Sequence, residues 1–135
     1  MMNSKPNRSL WTRQSLVVVL TFATVVCASL PVQGLQEDAK FMAIEQDGAK
    51  MWQGGGTINL KAHGAGPLTF KVINTLTSEH GFAIDSMKVK EVIKPREEKM
   101  IDVPLANIDR TTSKHRAYCH LHPKHVAAAF LVTVK

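Results

Sequence analysis

Thr57-Ile58-Asn59-Leu60-Lys61-Ala62, then His63-Gly64-Ala65-Gly66-Pro67, then Leu68-Thr69-Phe70-Lys71-Val72-Ile73: residues 57–73 carry the pattern that decides the fold. In the first run Ile58, Leu60 and Ala62 alternate with Thr57, Asn59 and Lys61. In the last, Leu68, Phe70 and Val72 alternate with Thr69, Lys71 and Ile73. A period of two with one mostly apolar face predicts half-buried strands. The Gly- and Pro-rich spacer between them predicts a turn.

On either side of residues 57–73 the same punctuation recurs. Lys40 to Glu45 is a short apolar-rich run ending at Asp47-Gly48, a turn signal, and Gly54-Gly55-Gly56 precedes Thr57. Further strands are expected at His80–Ile84, Val89–Ile93, Lys99–Leu105, Ala117–Cys119 and Phe130–Val134. Pro95 with Arg96-Glu97-Glu98 fits a turn, and the polar stretch from Asn107 to His115 fits a loop. No segment carries a sustained helical stripe and no internal repeat is visible. Short strands so closely spaced predict an all-β Greek-key sandwich or barrel. Such a frame holds loops rigidly at its ends.

The first 34 residues are of another kind. Met1 to Gln14 carries Lys5, Arg8 and Arg13 and no acid, Ser15 to Leu30 is uncharged, and Pro31-Val32-Gln33-Gly34 closes on a small residue. A basic start, an apolar middle and a small-residue exit predict a secretory signal peptide over residues 1–34, cleaved after Ala28 or, preferably, Gly34. An uncleaved anchor is the alternative, although the apolar run is at the short end for a spanning helix. Residues 35–135 then form one exported domain, with a periplasmic or otherwise extracytoplasmic location and no membrane contact once the signal is removed. Of 17 basic residues three lie in the leader, leaving 14 against 11 acids. A net charge of +3 gives no footing for a nucleic-acid partner.

Cysteine usage is more informative. Cys27 leaves with the leader, so the exported domain has a single thiol, Cys119. Alone in an oxidising compartment it cannot form an internal disulfide, and a metal would protect it as thiolate. The surrounding sequence reads Tyr118-Cys119-His120-Leu121-His122-Pro123-Lys124-His125, one cysteine and three histidines on the loop after an expected strand. Thiolate and imidazole suit copper or zinc. Cys119 and His122, two residues apart, can converge on one ion, and His125 can reach it from the far side of the turn. The distant His80, in Ser78-Glu79-His80-Gly81-Phe82, completes the set if its strand lies beside the cysteine strand. Structural zinc sites usually draw on paired cysteines, and this domain has one. His120, directly after the cysteine, is expected to project away. His115 and His63 are expected at the surface, Trp52 and Phe70 in the core, and Lys88, Lys90 and Lys94 on a solvated face.

His80-Gly81-Phe82 followed by Cys119-x-x-His122-Pro123 resembles the cupredoxins. Within them the chain is most similar to the nitrosocyanins, the red copper proteins, through Gly81-Phe82-Ala83-Ile84-Asp85, Glu91-Val92-Ile93-Lys94 and Cys119-His120-Leu121-His122-Pro123-Lys124. The likeness spans roughly residues 60–134. It implies a Greek-key sandwich with one copper ion at one end and Cys119 and His122 as ligands. Two departures follow. Nitrosocyanins carry a glutamate ligand immediately before Gly-Phe, where this chain has His80, as ordinary cupredoxins do. His125 stands at the spacing at which amicyanin-like proteins place an axial methionine.

The function the resemblance implies is single-electron transfer at a type 1-like copper, Cu(I)/Cu(II), with a redox partner protein, and a carrier rather than an enzyme. Two alternatives stand beside it. One is periplasmic copper binding and delivery, with His115 and His120 assisting loading. The other is nitrosocyanin-like chemistry on a small molecule such as nitric oxide at an open copper position.

Overall fold

Asp47 and Gly48 both take positive φ, 50° and 76°. That is the twist a two-residue hairpin needs, and glycine reaches it without penalty. The turn joins β1 (Ala39–Gln46) to β2 (Ala49–Gly54) in antiparallel register. The computed structural model describes residues 36–135, so the leader assigned to residues 1–34 lies outside the described residues. Among the described residues, no helix is long and apolar enough to cross a membrane.

β1 also pairs in parallel with β4 (Leu68–Asn74), which pairs antiparallel with β7 (Glu98–Val103), giving a four-stranded sheet in the order β2-β1-β4-β7. A second sheet runs β3 (Thr57–Asn59), β9 (Ala128–Thr133), β8 (Lys114–Ala117). β5 (His80–Ile84) and β6 (Val89–Ile93) form an antiparallel pair. A bridge from Ala83 to Tyr118 joins this pair to the end of β8, and one from Met51 to Val126 joins β2 to the chain just before β9. The described residues are mostly β, as expected, but among them the sheets stay open and do not close into a barrel.

Rings from both sides meet in the core. Phe41 of β1 lies 5.6 Å from Phe70 of β4, 5.1 Å from Phe82 of β5 and 5.3 Å from Phe130 of β9, and none of the four is more than 2% exposed. Tilted and edge-on ring contacts of this kind add to the area term. Burying each ring contributes about 1.5–3 kcal/mol. Trp52 and Phe70 both lie in this core, and Lys88, Lys90 and Lys94 are exposed.

Several element boundaries depart from expectation, each for a local reason. β3 ends at Asn59 rather than continuing to Ala62, because the Asn59 side chain accepts hydrogen bonds from the backbone N–H groups of Lys61 and Ala62 and caps a short helix, α1 (Leu60–His63). β7 ends at Val103, before Pro104, and Leu105–Asn107 forms a 3₁₀ turn. β8 begins at Lys114, so Lys114 and His115 belong to a strand and not to the preceding loop. β2 was not expected as a strand at all. Of its six residues only Trp52 is buried, so it carries no alternating face.

Candidate metal centre

Cys119 owes its position to strand parity. His115, Ala117 and Cys119 alternate with Lys114, Arg116 and Tyr118, and the first three face inward with exposures of 2%, 0% and 2%. Where β8 ends, Tyr118 and Ala83 exchange backbone hydrogen bonds of 3.0 and 2.9 Å. That pairing sets the next residue, Cys119, beside the start of β5. The backbone N–H of Gly81 donates to Cys119 Sγ at 3.2 Å, a bond that stabilises negative charge on sulfur.

His80 opens β5 and is 1% exposed. Asn74, the last residue of β4 and fully buried, holds the approach to it. Its Nδ2 donates to the carbonyls of Ser78, Ile93 and Lys94 at 2.8, 3.2 and 3.0 Å, and its Oδ1 accepts from Leu76 N–H at 3.0 Å. Ser78 Oγ lies 3.4 Å from His80 Nε2, leaving Nδ1 for the interior. On the other side, His125 N–H donates to the His122 carbonyl at 3.0 Å, closing a turn through Pro123 and Lys124. The turn stacks the His122 and His125 rings with centroids 4.6 Å apart at 27°.

Together these elements bring His80, Cys119, His122 and His125 to one point, with one donor atom from each lying within 4.8 Å of the others. Sγ is 3.3 Å from His122 Nδ1 and 3.9 Å from His80 Nδ1. The His80 ring centroid is 5.3 Å from that of His122 and 4.9 Å from that of His125. Burial pushes His80 down to about 4, helped by the neighbouring His125 and His122 and by Lys50. Burial likewise lowers His125, with His122 and Lys50 adding to the effect. Imidazoles held neutral offer lone pairs, so a metal ion need not displace protons from them at neutral pH. One soft sulfur with three nitrogens can hold a transition-metal ion.

The remaining histidines lie elsewhere. His120 is outside the cluster, and its ring packs against Gly81 so closely that a Cβ there would fall 2.5 Å from His120 Nδ1. His115, expected at the surface, is buried instead. Its place on the inward face of β8 dictates this, and its Nδ1 lies 2.7 Å from Ser86 Oγ. His63 is half-buried and paired through Nδ1 with Asp38 at 2.7 Å.

Sequence reasoning named the four clustered residues but missed what holds them: Asn74, Ser78, Gly81 as a donor, and Trp52, whose indole N–H donates to the Gly81 carbonyl at 2.8 Å. Asn74 did carry a signal. It continues the inward series Leu68, Phe70, Val72, where a polar residue needs buried partners. Trp52 carried none, because its strand has no periodic face. No protein-family model and no curated protein matches the chain.

Proposed function

We propose that the chain is an exported, cupredoxin-like Greek-key protein that holds one copper ion through His80, Cys119 and His122, with His125 as the fourth donor, and carries single electrons between redox partner proteins. The observation that carries this reading is the convergence of one buried thiol and three imidazoles within 4.8 Å, from the start of β5, the residue after the β8 bridge and a hydrogen-bonded turn. Zinc would accept the same donors, but a single cysteine with histidines is the copper-type set. Copper would supply a one-electron couple at this point.

The residues of the chain do the rest. Gly81 N–H offsets charge on the thiolate, and Asn74 and Ser78 hold His80 in one orientation. Because the donors stand on paired strands and a closed turn, they move little between oxidation states, which favours fast electron exchange. An imidazole from His125 is a stronger donor than a thioether and favours Cu(II), so the potential falls below that of a methionine-bearing site. The basic and apolar leader, residues 1–34, supports the extracytoplasmic location.

The alternatives have less support. Delivery called on His115 and His120 as accessible spare donors, yet His115 is buried against Ser86 and His120 is packed on Gly81. Small-molecule chemistry calls for an open position, and the His125 ring stands beside His80 and His122. The test is optical. The Cu(II)-loaded protein is expected to show an intense thiolate-to-copper band in the visible that vanishes in Cys119→Ser. A Cu(II) form lacking that band overturns the reading.

A further inference from the structure

β2 reaches both arms of the metal centre, and Trp52 is the residue that bonds to each. The Trp52 indole N–H donates to the Gly81 carbonyl at 2.8 Å, and Gly81 in turn donates its own N–H to Cys119 Sγ at 3.2 Å. The Trp52 backbone N–H donates to the Val126 carbonyl at 2.9 Å, while Val126 N–H donates to the Lys50 carbonyl at 3.0 Å. Val126 directly follows His125. One residue thus grips the His80–Gly81 arm of the site with its side chain and the His125 arm with its backbone. The ring itself is fixed: it is 3% exposed and meets Phe82 edge-on at 5.0 Å.

We propose that Trp52 is a positioning residue of the metal centre, a brace between the two arms that sets whether His125 reaches an ion held by Cys119. The inference rests on the reading that the cluster binds a metal ion, though not on that ion carrying electrons. His125 has weaker anchoring than Cys119 and His80. Cys119 and His80 are buried and start from strand ends, whereas His125 is half-buried on a turn whose outer end is tied down at Val126. A shift of β2 relative to Gly81 would carry Val126, and His125 with it, away from the thiolate. Loss of a hydrogen bond made to a ligand itself lowers metal affinity by about 10–100-fold, and the Trp52 bond, acting through Gly81, belongs at the lower end of that range.

The rival account is that Trp52 is simply a large core side chain. Two variants of the full chain separate the accounts. Trp52→Phe keeps a ring against Phe82 and keeps the backbone bond to Val126. Replacing Trp52 by benzothienylalanine keeps the bicyclic shape and removes only the N–H. Each is titrated with Cu(II) and with Co(II), and compared with wild type and His125→Ala by visible absorption, EPR and melting temperature. The expected result for the isostere is an unchanged melting temperature, a retained thiolate-to-metal band, and a band pattern and EPR spectrum moved toward those of His125→Ala. Its metal affinity should fall by about tenfold or more. Wild-type spectra and affinity in both variants, with only the melting temperature of Trp52→Phe lowered, overturn the proposal and leave Trp52 a packing residue. The same holds for the isostere alone if Trp52→Phe does not fold. A wild-type chain that takes up neither ion overturns the metal centre itself, and the brace with it.

Discussion

Gly81 answers three demands with one residue. Its N–H serves the Cys119 sulfur, its carbonyl serves Trp52, and the place where a Cβ would project is filled by the His120 ring, 2.5–2.9 Å away. Something must shift if a methyl group is added there. Gly81→Ala is expected to destabilise the protein by about 1–3 kcal/mol, the usual cost of overpacking. Because the obstacle is one side chain, the Gly81→Ala/His120→Ala pair should recover much of that loss. A double-mutant cycle by chemical denaturation measures it, and strictly additive losses would show that His120 is not the obstacle. Within the donor cluster, His125→Met exchanges an imidazole for a thioether and is expected to raise the reduction potential of the copper-loaded protein. Voltammetry checks this, and an unchanged potential would remove His125 from the donor set.

Among the elements, β4 shows how a strand built for packing ends as support for a site. Leu68, Phe70 and Val72 fill the core, and the next inward place is Asn74, whose amide spans Ser78 and the end of β6. Asn74→Ala leaves the carbonyls of Ser78, Ile93 and Lys94 without this donor, that of Ile93 in a buried place. A stability loss of about 1–3 kcal/mol is expected by denaturation, together with weaker metal binding as the segment before His80 loosens. What was legible in the sequence follows the same logic. β4, with its clean period of two, could be placed from alternation, and β5 and β6 as short apolar runs between turn signals. Three of the four clustered donors, Cys119, His122 and His125, were legible as unusual residue types at close spacing, and the fourth, His80, by its place before Gly-Phe. β2 was not, since an edge strand with a single buried residue leaves no alternation to find. The end of β3 was hidden by a local competition, the Asn59 side chain bonding to its own backbone two and three residues on. His115 was misplaced because its neighbours Lys114 and Arg116 are charged, and charge on the outer face says nothing of the inner one.

For the molecule as a whole, the two buried histidines, His80 and His115, couple stability to pH. Burial lowers both below the ordinary imidazole value, His80 to about 4. In the unfolded chain both return to about 6.5. Between these values the unfolded chain binds more protons than the folded one, so acid favours unfolding. The stabilisation from neutral burial is complete above about 6.5 and is lost as pH falls from there toward the folded values. The metal-free protein is therefore expected to hold a constant denaturation midpoint from pH 8 to 7 and to lose stability steadily from pH 6.5 to 4.5. His115 is packed 5.5 Å from the Phe130 ring, away from the four clustered donors, so His115→Phe should flatten part of this slope without touching the thiolate-to-metal band. Excess Cu(II) or Zn(II) should raise the midpoint most near neutral pH, where the ion binds the folded imidazoles without competing protons, and progressively less as acid protonates them. Urea titrations across that pH range, with and without metal, measure both effects. A midpoint independent of pH between 6.5 and 4.5 would mean that neither histidine is held neutral by the fold.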